Sequence, residues 1–264
     1  MPDQDYEHLQ LRTIGPVARL TLHRPDKINA FTVGLHADLG AALRQLQQQP
    51  PRVLIIAGSG RGFCAGQDLG EHGLAADAEV DLGLSIERTY NPLIRALQAC
   101  EFPVIAQVHG VAAGAGCSLA LACDLVYAAR SAYFVQSFVR IGLAPDSGAS
   151  WQLPRRVGMA RALGMALLAE RIGAQQAADW GLIWRCVDDD ALATTVDAAA
   201  AELAALPRRA LALTKQLIRA GDDLGLDQQL DLERDMQREL GRAGDFREGI
   251  NAFLQKRPPR FDSR

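Results

Sequence analysis

The chain has 264 residues, of which 48% are hydrophobic, and a formal net charge of -3 at pH 7. This length and this hydrophobic fraction are typical of a folded α/β protein with a sizeable core, and they exclude a disordered or fibrous chain. The slightly acidic balance provides no general attraction to nucleic acid or to anionic membranes, so we expect neither as a partner.

The cysteines and the N-terminus indicate a cellular compartment. The five cysteines have neither metal-ligand spacing nor the spacing of a small secreted framework, and each lies among apolar or small neighbours. We therefore expect reduced thiols and no metal site. Residues 1–5 are acidic and lack the apolar core of an export signal, and the longest apolar stretches have the length of strands. These features predict a cytoplasmic protein without a membrane span.

Apolar periodicity predicts the first elements of the fold. Alternating apolar residues from Leu9 to Leu22 predict an antiparallel hairpin with one buried face. A loop over residues 24–31 precedes a helix from Val33 to Gln48, in which leucines recur on one stripe. The apolar run Val53–Ala57 then predicts a strand, which is followed by a turn of small residues over 60–69.

A second strand and a second small-residue turn follow. A helix is predicted over residues 82–97 and a strand over 104–108, and the glycines at 110, 114 and 116 then lead into an Ala/Leu helix. Free backbone N–H groups at the start of that helix face the turn. Two such turns after two strands offer the pair of donors that an oxyanion hole requires. Taken alone, a single glycine-rich turn favours the simpler interpretation, close strand-helix packing without a ligand.

The remaining elements complete an α/β pattern. Strands are predicted over 124–129 and 132–135, a turn over 141–148 precedes a helix, and a further helix and return strand close the core near residue 188. Strands that alternate with helices imply a mostly parallel sheet. Ala/Leu-rich helices with charged faces occupy the chain from about residue 189. The segment 70–81, which includes His72, has no clean period and is interpreted as a loop that could form a lid.

The segments Phe63–Leu69 and Gly110–Asp124 resemble the crotonase, or enoyl-CoA hydratase/isomerase, superfamily, and the resemblance extends from about Leu9 to Phe261. It implies an α/β fold with a crotonase-like ββα spiral core over residues 1–188 and a C-terminal helical trimerisation region over residues 189–264. It also implies an acyl-CoA thioester as substrate, with CoA as part of that substrate and no separate cofactor, and a homotrimer or dimer of trimers.

The same resemblance assigns roles to individual residues. The two oxyanion amides fall on Ala65 and Ala115. Lys27 would reach a CoA phosphate, although without the resemblance a solvated lysine is the simpler interpretation. The implied substrate and CoA contacts, some of them toward a neighbouring subunit, are Lys27, Ala30, Gln67, Asp68, Leu69, Gly114, Phe138, Phe253 and Lys256.

The acidic residues distinguish between reactions. Hydratases of the family place two glutamates opposite the thioester, but Ser118 and Phe138 occupy these positions here. Asp146 matches an aspartate of the family's isomerases, although its turn composition by itself favours a helix N-cap. A single carboxylate suits a proton shift, because one group can remove a proton and return it elsewhere.

Three segments, Phe63–Leu69, Tyr90–Leu93 and Ile141–Asp146, resemble the branch of the family that converts ring 1,2-epoxyphenylacetyl-CoA into oxepin-CoA. This branch also moves enoyl-CoA double bonds from the 3 to the 2 position. A 4-chlorobenzoyl-CoA dehalogenase, with Asp146 as nucleophile, is an alternative, but that family has tryptophan where Phe138 stands. An enoyl-CoA hydratase is a further alternative. The acidic balance and the lack of a basic helix argue against a non-catalytic, RNA-binding relative.

Overall fold

The computed structural model describes residues 3–71 and 81–261, and all structural statements below concern these residues. They form two sheets surrounded by helices. The strands are β1 (Gln4–Asp5), β2 (Leu9–Ile14), β3 (Val17–Leu22), β4 (Val53–Gly58), β5 (Val104–Val108), β6 (Val111–Ala113), β7 (Leu125–Ala129), β8 (Tyr133–Val135), β9 (Ile172–Gly173) and β10 (Arg185–Val187). The helices are α1 (Val33–Gln48), α2 (Leu82–Ser85), α3 (Asn91–Gln98), α4 (Ala115–Ala122), α5 (Ala149–Leu168), α6 (Ala174–Asp179), α7 (Leu192–Ala204), α8 (Arg208–Ala220), α9 (Leu226–Leu240) and α10 (Gly244–Leu254).

The larger sheet is mostly parallel, which confirms the predicted α/β class. Its strand order is β1-β2-β3-β4-β5-β7-β10. The first three strands pair in antiparallel fashion, and β3, β4, β5, β7 and β10 pair in parallel. A smaller sheet has the order β6-β8-β9, and its first strand directly precedes α4. The parallel strands therefore deliver their C-terminal ends, and the turns that follow them, to one edge.

The N-terminal hairpin and the first helix follow the predicted pattern. Leu9 and Leu11 of β2 are fully buried and pair with Leu22 and Leu20 of β3, so one face of the hairpin packs into the core. The hydroxyl of Thr32 accepts a hydrogen bond from the third amide of α1 and caps that helix. Both predictions rest on the spacing of buried residues, which recur every second residue in a strand and about every 3.6 residues in a helix.

The helical segment over residues 82–98 differs from a regular helix. A five-residue π-helical turn, Ile86–Tyr90, joins α2 to α3. Such turns widen a helix by one residue and often occur at functional sites. Tyr90, the last residue of this turn, is buried. The sequence periodicity predicts a helix here but does not detect the wider turn.

α4 is the innermost helix, because all eight of its residues are buried. A buried helix end needs partners for its last carbonyl groups. The guanidinium of Arg156 supplies them, since it donates to the carbonyl oxygens of Leu121 at 2.7 Å and Cys123 at 3.3 Å. These contacts fix the C-terminal end of α4, and so the axis along which its N-terminal amides point.

The helices after residue 188 divide into two groups. Leu192, Val196 and Ala200 of α7, which follow the expected boundary at residue 188, belong to the hydrophobic core cluster that includes the sheet. By contrast, α9 and α10 leave large apolar side chains exposed. These are Leu226, Leu230, Phe246, Ile250, Phe253 and Leu254.

Two further expectations from the sequence were a loop over residues 70–81 and the lack of a membrane span. The loop predicted over residues 70–81 falls mostly on 72–80, including His72, which lie outside the described residues. Across the part of the chain that is described, no helix combines the length and apolar character needed to cross a membrane.

Candidate active site

Two turns, which follow neighbouring strands, meet at the start of α4. The amide of Cys64 donates to Val111 at 3.1 Å, and the amide of Ala113 donates to Cys64 at 2.9 Å. A Cβ added to Gly66 would lie 2.9 Å from the carbonyl oxygen of Ala113, and one added to Gly116 would lie 2.5 Å from that of Cys64. Both glycines are therefore needed for the backbones to approach this closely.

The N-terminus of α4 presents an unpaired amide. Its N-cap is Gly114, whose φ of 50° and ψ of -124° lie outside the range of other residues, and no side chain caps the helix. No acceptor within residues 3–71 and 81–261 takes the amide hydrogen of Ala115. The positive end of the helix dipole adds to the attraction for a negative atom at this point.

The structure differs from the expectation for the first turn. The amide of Ala65, predicted as an oxyanion donor, donates to the carbonyl oxygen of Ile28 at 2.9 Å. That amide is consequently engaged within the fold and is not available to a ligand. Two residues further on, the amide of Gln67 has no acceptor in the described structure. The assignment to Ala65 is thus corrected, and the free donor of this turn belongs to Gln67.

Gln67 is held on its backbone and on its side chain. Phe31 donates its amide to Gly66 at 2.7 Å and accepts from the amide of Asp68 at 2.9 Å, which turns the intervening amide of Gln67 away from Phe31. The hydroxyl of Tyr90 donates to Oε1 of Gln67.

Tyr90 is itself fixed by an aromatic cluster, defined here as Phe31, His36 and Tyr90. Its ring centroid lies 5.4 Å from that of Phe31 and 4.3 Å from that of His36, both at steep interplanar angles. Burial lowers the pKa of His36 to about 4, so the imidazole is neutral at physiological pH. The cluster therefore adds no charge beside the two amides.

Asp146 lies in the turn before α5 and does not act as the N-cap that its composition favours. The N-cap is Gly148, without a side-chain hydrogen bond. The carboxyl group of Asp146 is half-buried, and this burial raises its pKa above the ordinary value, while a 2.8 Å hydrogen bond from the hydroxyl of Ser147 opposes the rise. A half-buried carboxylate outside a capping role is available for chemistry.

A contact with α4 places the main chain of Asp146 next to the first turn of that helix. The hydroxyl of Ser118, in the first turn of α4, lies 3.2 Å from the carbonyl oxygen of Gly114 and 3.4 Å from that of Asp146. The pKa of Tyr90 is raised first by burial and next by the charge of Asp146. Asp146 thus lies near both Tyr90 and the beginning of α4.

The two positions that the sequence resemblance matches to the glutamates of hydratases hold no carboxylate. Ser118 is fully buried, and its hydroxyl contacts backbone oxygens. Phe138 is also buried, and its Cζ lies 3.8 Å from the point that a Cβ on Gly114 would occupy. Burial raises the pKa of both nearby thiols, Cys64 and Cys117, to about 12, so neither is a thiolate at neutral pH.

The residues expected near the nucleotide end of CoA form a separate polar surface next to the first turn. Lys27 is exposed and, with Arg24 and Asp68, lines a depression of about 400 Å³. The guanidinium of Arg24 bonds the carboxylate of Asp68 at 3.0 Å and lowers its pKa, and it also donates to the carbonyl oxygen of Ala30. Leu69 is half exposed next to Asp68. The structure therefore brings together four of the predicted residues, Lys27, Ala30, Asp68 and Leu69.

Phe253 and Lys256 do not join this site within one chain. The Phe253 side chain, on α10, is 82% exposed. No hydrogen bond or ion pair of the described residues links either side chain to the two turns or to Asp146.

Three features of the site were not predicted from the sequence. The amide of Gln67 replaces that of Ala65, and the side chains of Tyr90 and Ser147 contact Gln67 and Asp146. Sequence periodicity assigns Tyr90 to the apolar stripe of a helix. A hydroxyl on that stripe is the signal that marks it, because a buried tyrosine hydroxyl requires a partner.

A family model described as Enoyl-CoA hydratase/isomerase matches residues 13–264 of the chain. The 1,2-epoxyphenylacetyl-CoA isomerase of Escherichia coli strain K12 is 51% identical over 247 residues, which cover 93% of this chain and 94% of that protein. A Rhodobacter capsulatus protein named probable enoyl-CoA hydratase is 49% identical over 259 residues, 98% of this chain and 99% of that protein.

Solved structures also resemble the fold. The crystal structure of an enoyl-CoA hydratase from Polaromonas sp. JS666 superposes with a TM-score of 0.91 at 35% sequence identity. The match covers 96% of this chain and 99% of that one. The likeness therefore extends over the sheet, the central helix and the C-terminal helices together.

Proposed function

Because the chain belongs to the enoyl-CoA hydratase/isomerase family, we propose that it is an acyl-CoA isomerase in which Asp146 moves protons along the acyl skeleton. One observation carries the proposal. The half-buried carboxyl group of Asp146 belongs to a turn that contacts the first turn of α4, where the unpaired amide of Ala115 lies beside the turn that carries Gln67.

The amides of Gln67 and Ala115 bind the thioester oxygen. Each donor stabilises the negative charge that develops on this oxygen when a proton leaves the neighbouring carbon, and one such donor is typically worth about 3 kcal/mol of the barrier. Since the two donors come from separate turns that the glycines hold in contact, they are aligned before the substrate binds. This alignment avoids reorganisation during the reaction.

Asp146 acts first as base and then as acid. Its carboxylate removes a proton from the carbon next to the thioester carbonyl, and the electron pair passes into the enolate, which extends over the adjoining double bond. The protonated Asp146 then delivers the proton to a carbon further along the conjugated system. Atoms and charge balance, because the product is an isomer of the substrate and the carboxylate is restored.

The substrate is an unsaturated or ring-epoxidised acyl-CoA. Similarity to a relative named 1,2-epoxyphenylacetyl-CoA isomerase supports conversion of the ring epoxide into oxepin-CoA. In this isomerisation the carbon–carbon bond shared by the epoxide and the six-membered ring breaks, which leaves a seven-membered ring that contains the oxygen, and Asp146 moves the proton. The same proton transfer moves an enoyl-CoA double bond from the 3 to the 2 position. The buried ring of Phe138 beside Gly114 provides an apolar wall, which suits an aromatic or unsaturated acyl group.

Hydration of an enoyl-CoA is the second candidate, because a relative with almost the same identity is named a probable enoyl-CoA hydratase. Addition of water needs one group to deprotonate the water and another to protonate the acyl carbon. With Ser118 and Phe138 in place of two glutamates, Asp146 would have to perform both tasks. We therefore place hydration below isomerisation, and dehalogenation by nucleophilic attack of Asp146 below both.

We further propose that the depression beside Lys27 and Arg24 binds the phosphates of CoA, and that α9 and α10 assemble the chain into a trimer or a dimer of trimers. The charge of Lys27 and the exposed apolar side chains of the C-terminal helices support these assignments. Assembly offers Phe253 and Lys256, which lie away from the site of their own chain, a route to the CoA of a neighbour.

The Asp146→Asn variant tests the proposed reaction. Loss of the acid/base group should reduce both isomerisation and exchange of acyl protons with deuterated water by about 10²- to 10⁴-fold, while CoA thioesters still bind by calorimetry. The exposed Asp190, changed to Asn, is the matched control and should retain full activity. Isomerase activity that survives in Asp146→Asn would overturn the proposal, and rapid hydration of crotonyl-CoA by the unmodified protein would favour the second candidate.

A further inference from the structure

Ser147 contacts the reactive carboxyl group directly. Its hydroxyl donates to Oδ1 of Asp146 at 2.8 Å, and the side chain is almost fully buried, at 3% exposure. Among residues 3–71 and 81–261, no other donor reaches either carboxylate oxygen of Asp146. This leaves one oxygen, Oδ1, with a fixed partner and the other, Oδ2, without one.

The backbone at Ser147 has a conformation that favours glycine. Its φ is +51°, in the left-handed region, and the next residue, Gly148, also has a positive φ of +79°. Residues with a Cβ rarely adopt this conformation because of the contact between Cβ and the backbone. A glycine would fit this backbone with less strain, but it would lack the hydroxyl group that reaches Asp146.

We propose that Ser147 is a positioning residue for Asp146: its hydroxyl binds Oδ1 and thereby presents Oδ2 as the oxygen that exchanges a proton with the substrate. This inference rests on the proposed function for its catalytic meaning, but the hydrogen bond itself is testable without any reaction. The bond restricts rotation of the carboxyl group, so that the free oxygen keeps one direction between proton removal and proton return.

The same bond affects the charge of the site. Burial disfavours the carboxylate, whereas a hydroxyl donor stabilises it and opposes that effect. The other titratable side chain that faces Asp146 in the described structure is Tyr90, from the helical segment 82–98, and it is neutral at physiological pH. From α4, Ser118 approaches the main-chain oxygen of Asp146 and carries no charge. Removal of the Ser147 hydroxyl is therefore not masked by a neighbouring ion.

Two variants at this position separate the hydroxyl from the backbone. Ser147→Ala removes the hydroxyl but keeps a Cβ in the left-handed conformation, whereas Ser147→Gly removes both the hydroxyl and the strain. We expect the glycine variant to be the more stable of the two in thermal denaturation. If the hydroxyl positions Asp146, both variants should nevertheless show the same defect, a several-fold lower kcat with little change in KM.

The second readout is the titration of Asp146 itself. In the substrate-free protein, carbon-13 NMR of labelled aspartate, with the signal identified by its loss in Asp146→Asn, should show the pKa higher by about one unit in both Ser147 variants. The acid limb of the pH profile of kcat/KM should move by the same amount. If Ser147 served only to shape the backbone, its replacement would change neither the pKa of Asp146 nor the acid limb of the pH profile.

The outcomes distinguish this inference from the proposed function. Identical Asp146 titrations in the unmodified protein and both variants would overturn the role of Ser147, even if Asp146→Asn is inactive. Activity that follows stability, with Ser147→Gly equal to the unmodified protein, would also overturn it. If Asp146→Asn remains active while the titration moves as expected, the proposed reaction fails and the hydrogen bond to Oδ1 stands.

Discussion

The hydroxyl of Tyr90 donates a hydrogen bond to the side chain of Gln67, the residue whose main-chain amide is unpaired in the described structure. The bond joins the π-helical turn to the turn after β4. Because Tyr90 also packs against Phe31 and His36, this bond ties the residue that provides one of the two proposed oxyanion donors to the helical segment 82–98.

Tyr90→Phe should lower kcat about 3- to 10-fold, because a neutral hydrogen bond is worth about 1 kcal/mol and its loss frees the Gln67 side chain. Steady-state kinetics measure the effect. Tyr6→Phe is a matched control, since the Tyr6 hydroxyl also donates to a glutamine side chain, Gln45, at 3.0 Å. The control should lose comparable stability and keep its activity. Equal activities of the two variants would exclude a role for the Tyr90 bond in catalysis.

Gly66→Ala should separate the two turns. The new Cβ would lie 2.9 Å from the carbonyl oxygen of Ala113, too close without a backbone shift. We expect about 1–3 kcal/mol of lost stability and a roughly 100-fold lower kcat, because the donor amides move apart.

Gly15→Ala is the control for the φ penalty alone. Gly15 has a positive φ of +59° and no atom within 4 Å of an added Cβ. The Gly15→Ala variant should lose stability, measured by denaturant unfolding, without losing activity, measured by kinetics. A Gly66→Ala variant with normal kcat would show that the close approach of the two turns is not required for activity.

The amides of the two turns should differ in hydrogen exchange. The Ala65 amide is bonded to Ile28 and should exchange slowly with and without ligand, whereas those of Gln67 and Ala115 should become protected when an acyl-CoA analogue binds. Residue-resolved exchange by mass spectrometry measures this difference. Ligand-induced protection at Ala65 instead of Gln67 would restore the assignment made from the sequence.

Asp146→Asn should be more stable than the unmodified protein at neutral pH. Burial raises the pKa of Asp146 above the ordinary 3.8, so the folded protein binds this proton more tightly than the unfolded chain. The contribution of this group to the free energy of unfolding therefore falls as the pH rises from 3.8, the pKa in the unfolded chain, to the higher pKa in the folded protein. The stability difference should be present at about pH 7 and vanish near pH 3. Denaturant unfolding across this range tests it, and a variant less stable at neutral pH would contradict the expectation.

Phe253→Asp should weaken the proposed assembly of the chain into a trimer or a dimer of trimers. The phenyl ring is largely exposed on α10, and a charge in an apolar subunit contact is unfavourable. Analytical ultracentrifugation should show a smaller species and, if the neighbouring chain contributes to the CoA site, weaker CoA binding. Ile14→Asp, at a position in the N-terminal hairpin that is also largely exposed, should leave the mass unchanged. An unaltered mass for Phe253→Asp would exclude α10 from the interface.

The elements with strong periodicity were predictable because their burial pattern is local. The hairpin of β2 and β3 and the helix Val33–Gln48 have the expected positions, and the glycines at 66 and 116 mark the close contact that the two turns make. The predicted helix over 82–97 is present, but its π-helical turn was missed, since no residue type in this segment specifies the wider turn.

The sequence by itself determined the α/β pattern and the two small-residue turns and, through its resemblance to a family, pointed to Asp146 as the proposed acid/base group. Only the tertiary structure decided which amide of the first turn is free. That choice depends on Ile28 and Phe31, which are distant in sequence and engage the neighbouring amides on either side. It likewise decided that Tyr90 bonds Gln67 and that Ser147 bonds Asp146, because side-chain hydrogen bonds depend on how the chain packs and not on residue spacing alone.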